Sequence, residues 1–251
     1  MSSLALSCII FALTLAGIVI GILLRRILPE QHLSKDSREV VRLGVGLVAT
    51  IAALVLGLLI AAAKGSFDTQ SVEVRHITAD MILLDNLLEQ YGADAAPIRK
   101  ELRAAIPAFV DRLWQEKEQK SSLTFESSAA AEKVFFEIQS LSPGNDTQRS
   151  LQARAVQIST DLAQTRLMLF TEKDNAIPAP FLAVLVIWLV IIFTTFSLFS
   201  DVNGTVFVFL SLFAASASCA IFLILELGTP FIGLMMISSE PLRNALPPLV
   251  Q

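Results

Sequence analysis

PFLAVLVIWLVIIFTTFSLFSDVNGTVFVFLSLFAASASCAIFLILEL, residues 180–227, decides the fold. Two apolar runs, 180–200 and 205–227, flank the tetrapeptide DVNG at 201–204. At about 1.5 Å per residue, a helix of roughly 20 apolar residues crosses a hydrocarbon core of about 30 Å. A link this short makes the pair an antiparallel hairpin. Pro178 and Pro180 mark the start of its first helix, where proline is tolerated.

Two more such runs lie near the N-terminus: LALSCIIFALTLAGIVIGILL at 4–24 and LGVGLVATIAALVLGLLIAAA at 43–63. The first has no basic segment before it and no small-x-small cleavage site after it. Arg25 and Arg26 follow instead, so it reads as a retained anchor and not a signal peptide. The chain is 54% hydrophobic and only 17% charged, with the apolar residues massed at both ends. A membrane protein with an inserted soluble domain explains that distribution better than one large core does. The expected architecture is all-α: a transmembrane hairpin over 1–65, an extramembrane antiparallel helical bundle over 66–178, and a second hairpin with a C-terminal interfacial segment over 179–251.

The middle region carries helical periodicity. Ile77, Met81, Leu84, Leu88 and Tyr91 form one apolar stripe that Gly92 stops. Ile98, Leu102, Ile106, Phe109 and Leu113 form a second, with Pro97 in its first turn. Val134, Phe135, Ile138 and Leu141 predict a shorter helix ended by SPGN at 142–145, and Leu151, Ala155, Ile158, Leu162 and Leu169 a fourth. The outer bundle helices are placed to continue the neighbouring spans.

Orientation follows from basic residues in short loops. Arg25, Arg26, Lys35, Arg38 and Arg42 lie between the first two spans, and none precedes the first. The first loop is therefore assigned to the cytoplasm, and the N-terminus and bundle to the outside of a bacterial inner membrane.

Catalytic and cofactor motifs are absent: no Gly-rich phosphate loop, G-x-S-x-G, H-E-x-x-H or paired Cys-x-x-Cys. Neither an enzyme nor a cofactor is expected. Cys8 and Cys219 fall inside apolar runs and read as buried free thiols, while His32 and His76 stand apart, so no metal site is expected. No Lys/Arg cluster suggests nucleic acid. Asp85 sits at the edge of its helix stripe. Arg99 and Arg103 are four apart and share a helix face, available to Asp80, Asp85 or Glu89, or to an anion; ion pairing inside the bundle is the plainer reading.

Small residues recur every fourth position in the spans: Gly17 and Gly21, then Ala49, Ala53, Gly57 and Ala61, then Ser211, Ala215 and Cys219. Such stripes let helices approach closely in lipid, within one chain or between chains. Hydroxyls at Thr194, Thr195, Ser197, Ser211, Ser216 and Ser218 can bond their own backbone or wet a pore. Glu226 lies at the end of the last span, where water can reach it. Gly228, Pro230 and Gly233 then break the helix. TPFIGLMMI at 229–237 is too short to cross again and is expected to fold back along the interface or to re-enter between helices, with Phe231, Leu234 and Met235 as apolar anchors. Ser239 is placed to cap a final short helix, with Pro241 in its first turn.

Five stretches together resemble the bestrophin-like family of bacterial membrane proteins. They are GIVIGILLRR at 17–26, VLGLLIAAAKGSF at 55–67, LLDNLLEQYGADAAPIRKELRAAI at 83–106, AIPAPFLAVLVIWLVIIFTTFSLFS at 176–200 and LILELGTPFIGLMMISSEPLRNAL at 223–246. The resemblance implies kinship with bestrophins, pentameric anion channels with four spans. Pro230 and Phe231 match the start of the Pro-Phe-Gly motif after the last bestrophin span, but Ile232 separates Phe231 from Gly233. The acidic calcium-binding run is missing, so calcium gating is not implied. Bestrophins also keep their soluble helices in the cytoplasm, against the charge bias here. Two functions follow as expectations: an oligomeric anion channel, or a membrane sensor or scaffold whose bundle binds a ligand or partner. The lipid bilayer and further copies of the chain are the expected partners; the permeant ion or ligand is open.

Overall fold

A computed structural model describes residues 2–29, 35–115, 129–172, 179–201 and 203–246. His32 and Pro178 lie outside the described residues, as does any continuation of the last bundle helix into the third span. Helices are the regular structure of the described residues, with no strand among them: α1 (Ser3–Ile27), α2 (Lys35–Tyr91), α3 (Ala96–Gln115), α4 (Ala129–Ser140), α5 (Asp146–Glu172), α6 (Ala179–Phe199), α7 (Gly204–Leu227) and α8 (Glu240–Arg243). α1, α2, α6 and α7 are each long and apolar enough to cross a membrane, which makes this a multi-pass membrane protein. The second span and the first bundle helix are one unbroken helix of 57 residues.

The chain divides into two compact units. The first comprises Met1–Phe67 and Asn175–Thr229. α1 lies between α6 and α7, with Ile18 fully buried against Phe193, Leu210 and Ala214. Val45, Ala52, Leu59 and Ala63 of α2 pack with Ile10, Leu185, Ile192 and Ile221. They recur at spacings of seven and four, the single stripe of a helix touching its neighbours along one face. Leu47, Leu54 and Leu58 point away from that face and are more than 60% exposed, as lipid-facing leucines should be. The helix ends are capped locally. Ser2 accepts from the Ala5 amide, Asn203 accepts from the Val206 amide at 3.0 Å, and Arg25 donates to the Ser200 carbonyl and to Asp201.

Both cysteines are free and exposed on the chain, not buried. In lipid the outer face of a span is as apolar an environment as a core, so an apolar run does not predict which side its thiol takes.

The second unit comprises Asp68–Asp174 and Pro230–Gln251. Its core joins Leu84, Leu88 and Tyr91 of α2 to Ile98 and Leu102 of α3, Val134 and Ile138 of α4, and Ala155 and Ile158 of α5. These are the residues of the four predicted stripes. Gly92 ends α2 with φ 113°, a left-handed conformation that favours glycine. A 3-10 turn over Ala93–Ala95 then leads into α3. Gln152 of α5 donates to the carbonyls of Ile138, Gln139 and Leu141, satisfying the C-terminal end of α4. Ser239 does not cap α8; the Glu240 amide donates to Ser238 Oγ, and Ser239 accepts from Arg243 Nε. Ser239 itself has helical dihedrals, which turn its hydroxyl away from the first-turn amides.

Candidate functional site

Among the described residues of the second unit, a buried polar cluster centres on Asp85, 2% exposed. Arg99 donates to Oδ1 and Oδ2 at 3.0 and 2.9 Å, and Arg103 to the same oxygens at 2.8 and 2.7 Å. Arg99 also pairs with Glu89 at 3.0 Å. One carboxylate thus receives two bidentate forks, the strongest hydrogen-bond geometry a carboxylate finds in a protein. Burial pushes the Asp85 carboxyl up, but the hydrogen bonds and charges of Arg103 and Arg99 outweigh it and hold the carboxyl below its usual range. Of the acids within sequence reach, Asp85 and Glu89 take the arginines; Asp80 does not. Tyr91, 3% exposed, shares the adjoining core, and its hydroxyl makes no hydrogen bond.

Asp80 titrates the other way. Burial and the Asp161 charge raise its carboxyl, and His76 and Arg154 only partly offset them. A raised carboxyl contributes stability below its unfolded value that is lost as pH rises through the folded value. Asp80→Asn should therefore stabilise the protein at pH 7, by about 0.5 kcal/mol. The melting-temperature gap between variant and wild type should close as pH approaches 4; a gap independent of pH contradicts the assignment.

Glu226 is buried, 4% exposed, and not open to water as its place near a span end suggested. The C-terminal end of α7 is the unfavourable end of a helix for an anion. The first turn of α1 compensates: Ser3 Oγ donates to Glu226 Oε1, which places the carboxylate at the positive end of α1. The carboxylate thereby ties the start of α1 to the end of α7.

The segment after α7 makes a closed loop. The Ile237 amide donates to the Pro230 carbonyl at 2.7 Å, and Gly233 turns the chain with φ 118°. Phe231 is buried edge-on against Trp114 of α3, centroids 5.4 Å apart. Trp114 Nε1 donates to the Ile237 carbonyl at 2.8 Å. Leu234, Met235 and Met236 stand exposed at the tip. Phe231 therefore anchors the loop to α3, while Leu234 and Met235 remain outward. Trp114 is the residue the sequence reading missed; its place at the end of the Leu113 stripe was the only signal. Trp114→Phe keeps a ring but leaves the carbonyl without its donor, and should cost about 0.5–1.5 kcal/mol. Limited proteolysis should then cut within 231–237 faster than in wild type; an unchanged rate counts against the clamp.

The small residues divide by span. Gly17 faces Thr194 and Val190 of α6, and Gly21 faces Ser197, Thr194 and Leu198. Ala53 and Gly57 of α2 are exposed, and a Cβ at Gly57 would meet nothing within 4 Å. Thr194, Thr195, Ser197 and Ser211 all bond back to their own helices, whereas the buried hydroxyl of Ser218 makes no hydrogen bond. Among the described residues no three His, Cys, Asp or Glu side chains gather as a metal ion would need.

The family model for the Bestrophin-like domain matches residues 11–242. The chain belongs to the bestrophin-like family. The match takes in the last three spans and all but the first turns of α1, together with the Asp85 cluster and the Phe231 loop of this bestrophin-like protein. No curated protein and no solved structure matches the chain.

Proposed function

We propose that this bestrophin-like protein is a homo-oligomeric ion channel that passes small anions, with its pore formed among copies of the chain, and is not an enzyme. The observation that carries this reading is the flank of α2 formed by Gly46, Ala53 and Gly57. These residues recur at spacings of seven and four, they are exposed, and the space above both glycines is open. A small-residue flank at that spacing suits close approach of a second helix in lipid. Arg25, Arg26, Arg38 and Arg42 at one end of the spans give the potential that draws anions to a mouth. The same charges favour a cytoplasmic first loop, with the N-terminus and helical unit outside a bacterial plasma membrane.

Purified protein in planar bilayers should give discrete unitary currents whose reversal potential follows the chloride gradient. Silent bilayers overturn channel activity. A monomeric mass in detergent, or a mass unchanged in Ala53→Leu/Gly57→Leu, overturns the assembly surface. A reporter fused at residue 120 that reads cytoplasm overturns the orientation. A sensory or scaffolding role is the second reading, favoured by the unbroken run of α2 from Lys35 to Tyr91; recovery of a stoichiometric partner on the intact protein, with silent bilayers, would favour it instead.

A further inference from the structure

The first unit holds a cleft of about 800 Å³ between the first turns of α2, the last turns of α6 and the first turns of α7. α6 ends at Phe199 and α7 starts at Gly204, so the cleft sits where these spans end, at the level of lipid headgroups. Its walls are unlike. Phe196, Phe199 and Leu210 line it on the α6 and α7 side, and Arg38 and Arg42 on the α2 side. The two arginines are four apart, hence neighbours on one helix face.

We propose that this cleft binds an anionic phospholipid, with the phosphodiester held by Arg38 and Arg42 and an acyl chain laid along Phe196, Phe199 and Leu210. Guanidinium forks match phosphate oxygens bidentately, and basic pockets between spans are where acidic headgroups lodge. Glu39 also lines the cleft. Two guanidiniums and one carboxylate leave a single positive charge, which balances a phosphodiester monoanion and under-compensates a phosphomonoester dianion. The apolar wall selects in the same direction, because a small soluble anion gains nothing from two phenylalanines and a leucine. Arg38 is also engaged within the chain, so Arg42 is the more decisive residue to change.

The test is native mass spectrometry of the full chain in neutral detergent, titrated with phosphatidylglycerol, with phosphatidylcholine of the same acyl chains, and with glycerol 3-phosphate. Phosphatidylglycerol should bind about tenfold more tightly than phosphatidylcholine, because both present the same phosphodiester oxygens but the choline cation of the second is repelled by the net positive charge of the cleft. Arg42→Gln should remove that preference, and Arg26→Gln, which changes an arginine outside the cleft, should leave it intact. Equal binding of the two lipids overturns the proposal. So does a preference that survives Arg42→Gln, or one lost equally in Arg26→Gln, which would mark diffuse attraction to a basic surface. Displacement of the lipid by equimolar glycerol 3-phosphate would assign the cleft to a soluble anion instead. Equal binding of the two lipids by the wild-type protein overturns the proposal even where a variant fails to fold.

Discussion

Gly21→Ala should lower the stability of the detergent-solubilised protein by about 1–3 kcal/mol, the ordinary cost of overpacking a close contact, although alanine is the better helix former. The reason is the contact between α1 and α6. A Cβ at Gly21 would fall on Ser197 Oγ and on the Thr194 carbonyl oxygen, and would lie 3.1 Å from the Leu198 amide nitrogen. The serine side chain can rotate away, but two of those three atoms are backbone, so α6 itself has to move. Ser197 is fully buried at this contact. Gly21→Val adds two methyl groups and should prevent the pair from closing. Gly65→Ala supplies the opposite sign. Gly65 lies inside α2 with nothing within 4 Å of its Cβ position, so only helix propensity acts, and stability should rise by up to about 1 kcal/mol. Thermal unfolding of the two variants side by side separates packing from propensity. Equal shifts would mean that the Gly21 contact does not hold α1 to α6.

The contrast between these glycines marks how far the sequence was legible. Periodicity placed the spans and the four stripes of the helical unit correctly, because burial of an apolar face repeats every three or four residues wherever a helix packs. It could not separate Gly21, pressed on α6, from Gly57, which faces open space. In lipid every face of a span is apolar, so composition does not reveal which face meets protein; Cys8 and Cys219 went astray for the same reason. Glu226 looked solvated from its position alone, and its burial depends on Ser3, which lies at the other end of the chain. Trp114 and the Phe231 loop meet across more than a hundred residues, and no local pattern records such a pairing. The Asp85 cluster was more legible. Fourteen and eighteen residues separate Asp85 from its arginines, and the Gly92 break between two amphipathic helices brings those positions back together. Periodicity fixed the faces but left three acids as candidates, and only packing depth chose Asp85.

Asp85→Asn should be the most damaging substitution of equal volume in the helical unit, at about 3–5 kcal/mol or a fall in melting temperature on the order of 10 °C. Asparagine keeps the shape but turns an NH2 donor toward guanidinium donors, and it removes the charge that two arginines share. Those arginines are only 16% and 14% exposed, so water cannot replace the lost partner fully. Glu89, 59% exposed, still pairs with Arg99, but at that exposure it is screened by water and replaces little of the buried carboxylate. The pH dependence gives a second readout. A depressed carboxyl contributes stability that is complete above its unfolded value of about 3.9 and is lost as pH falls through the folded value. Wild-type protein should therefore lose this contribution below about pH 4, and Asp85→Asn should lack that part of the acid limb. Replacing all three members together, as Asp85→Leu/Arg99→Met/Arg103→Leu, removes the desolvation cost along with the attraction and should be far milder than Asp85→Asn alone. If the triple variant is as unstable as the single one, the loss comes from packing at position 85, and the ion cluster contributes nothing beyond it.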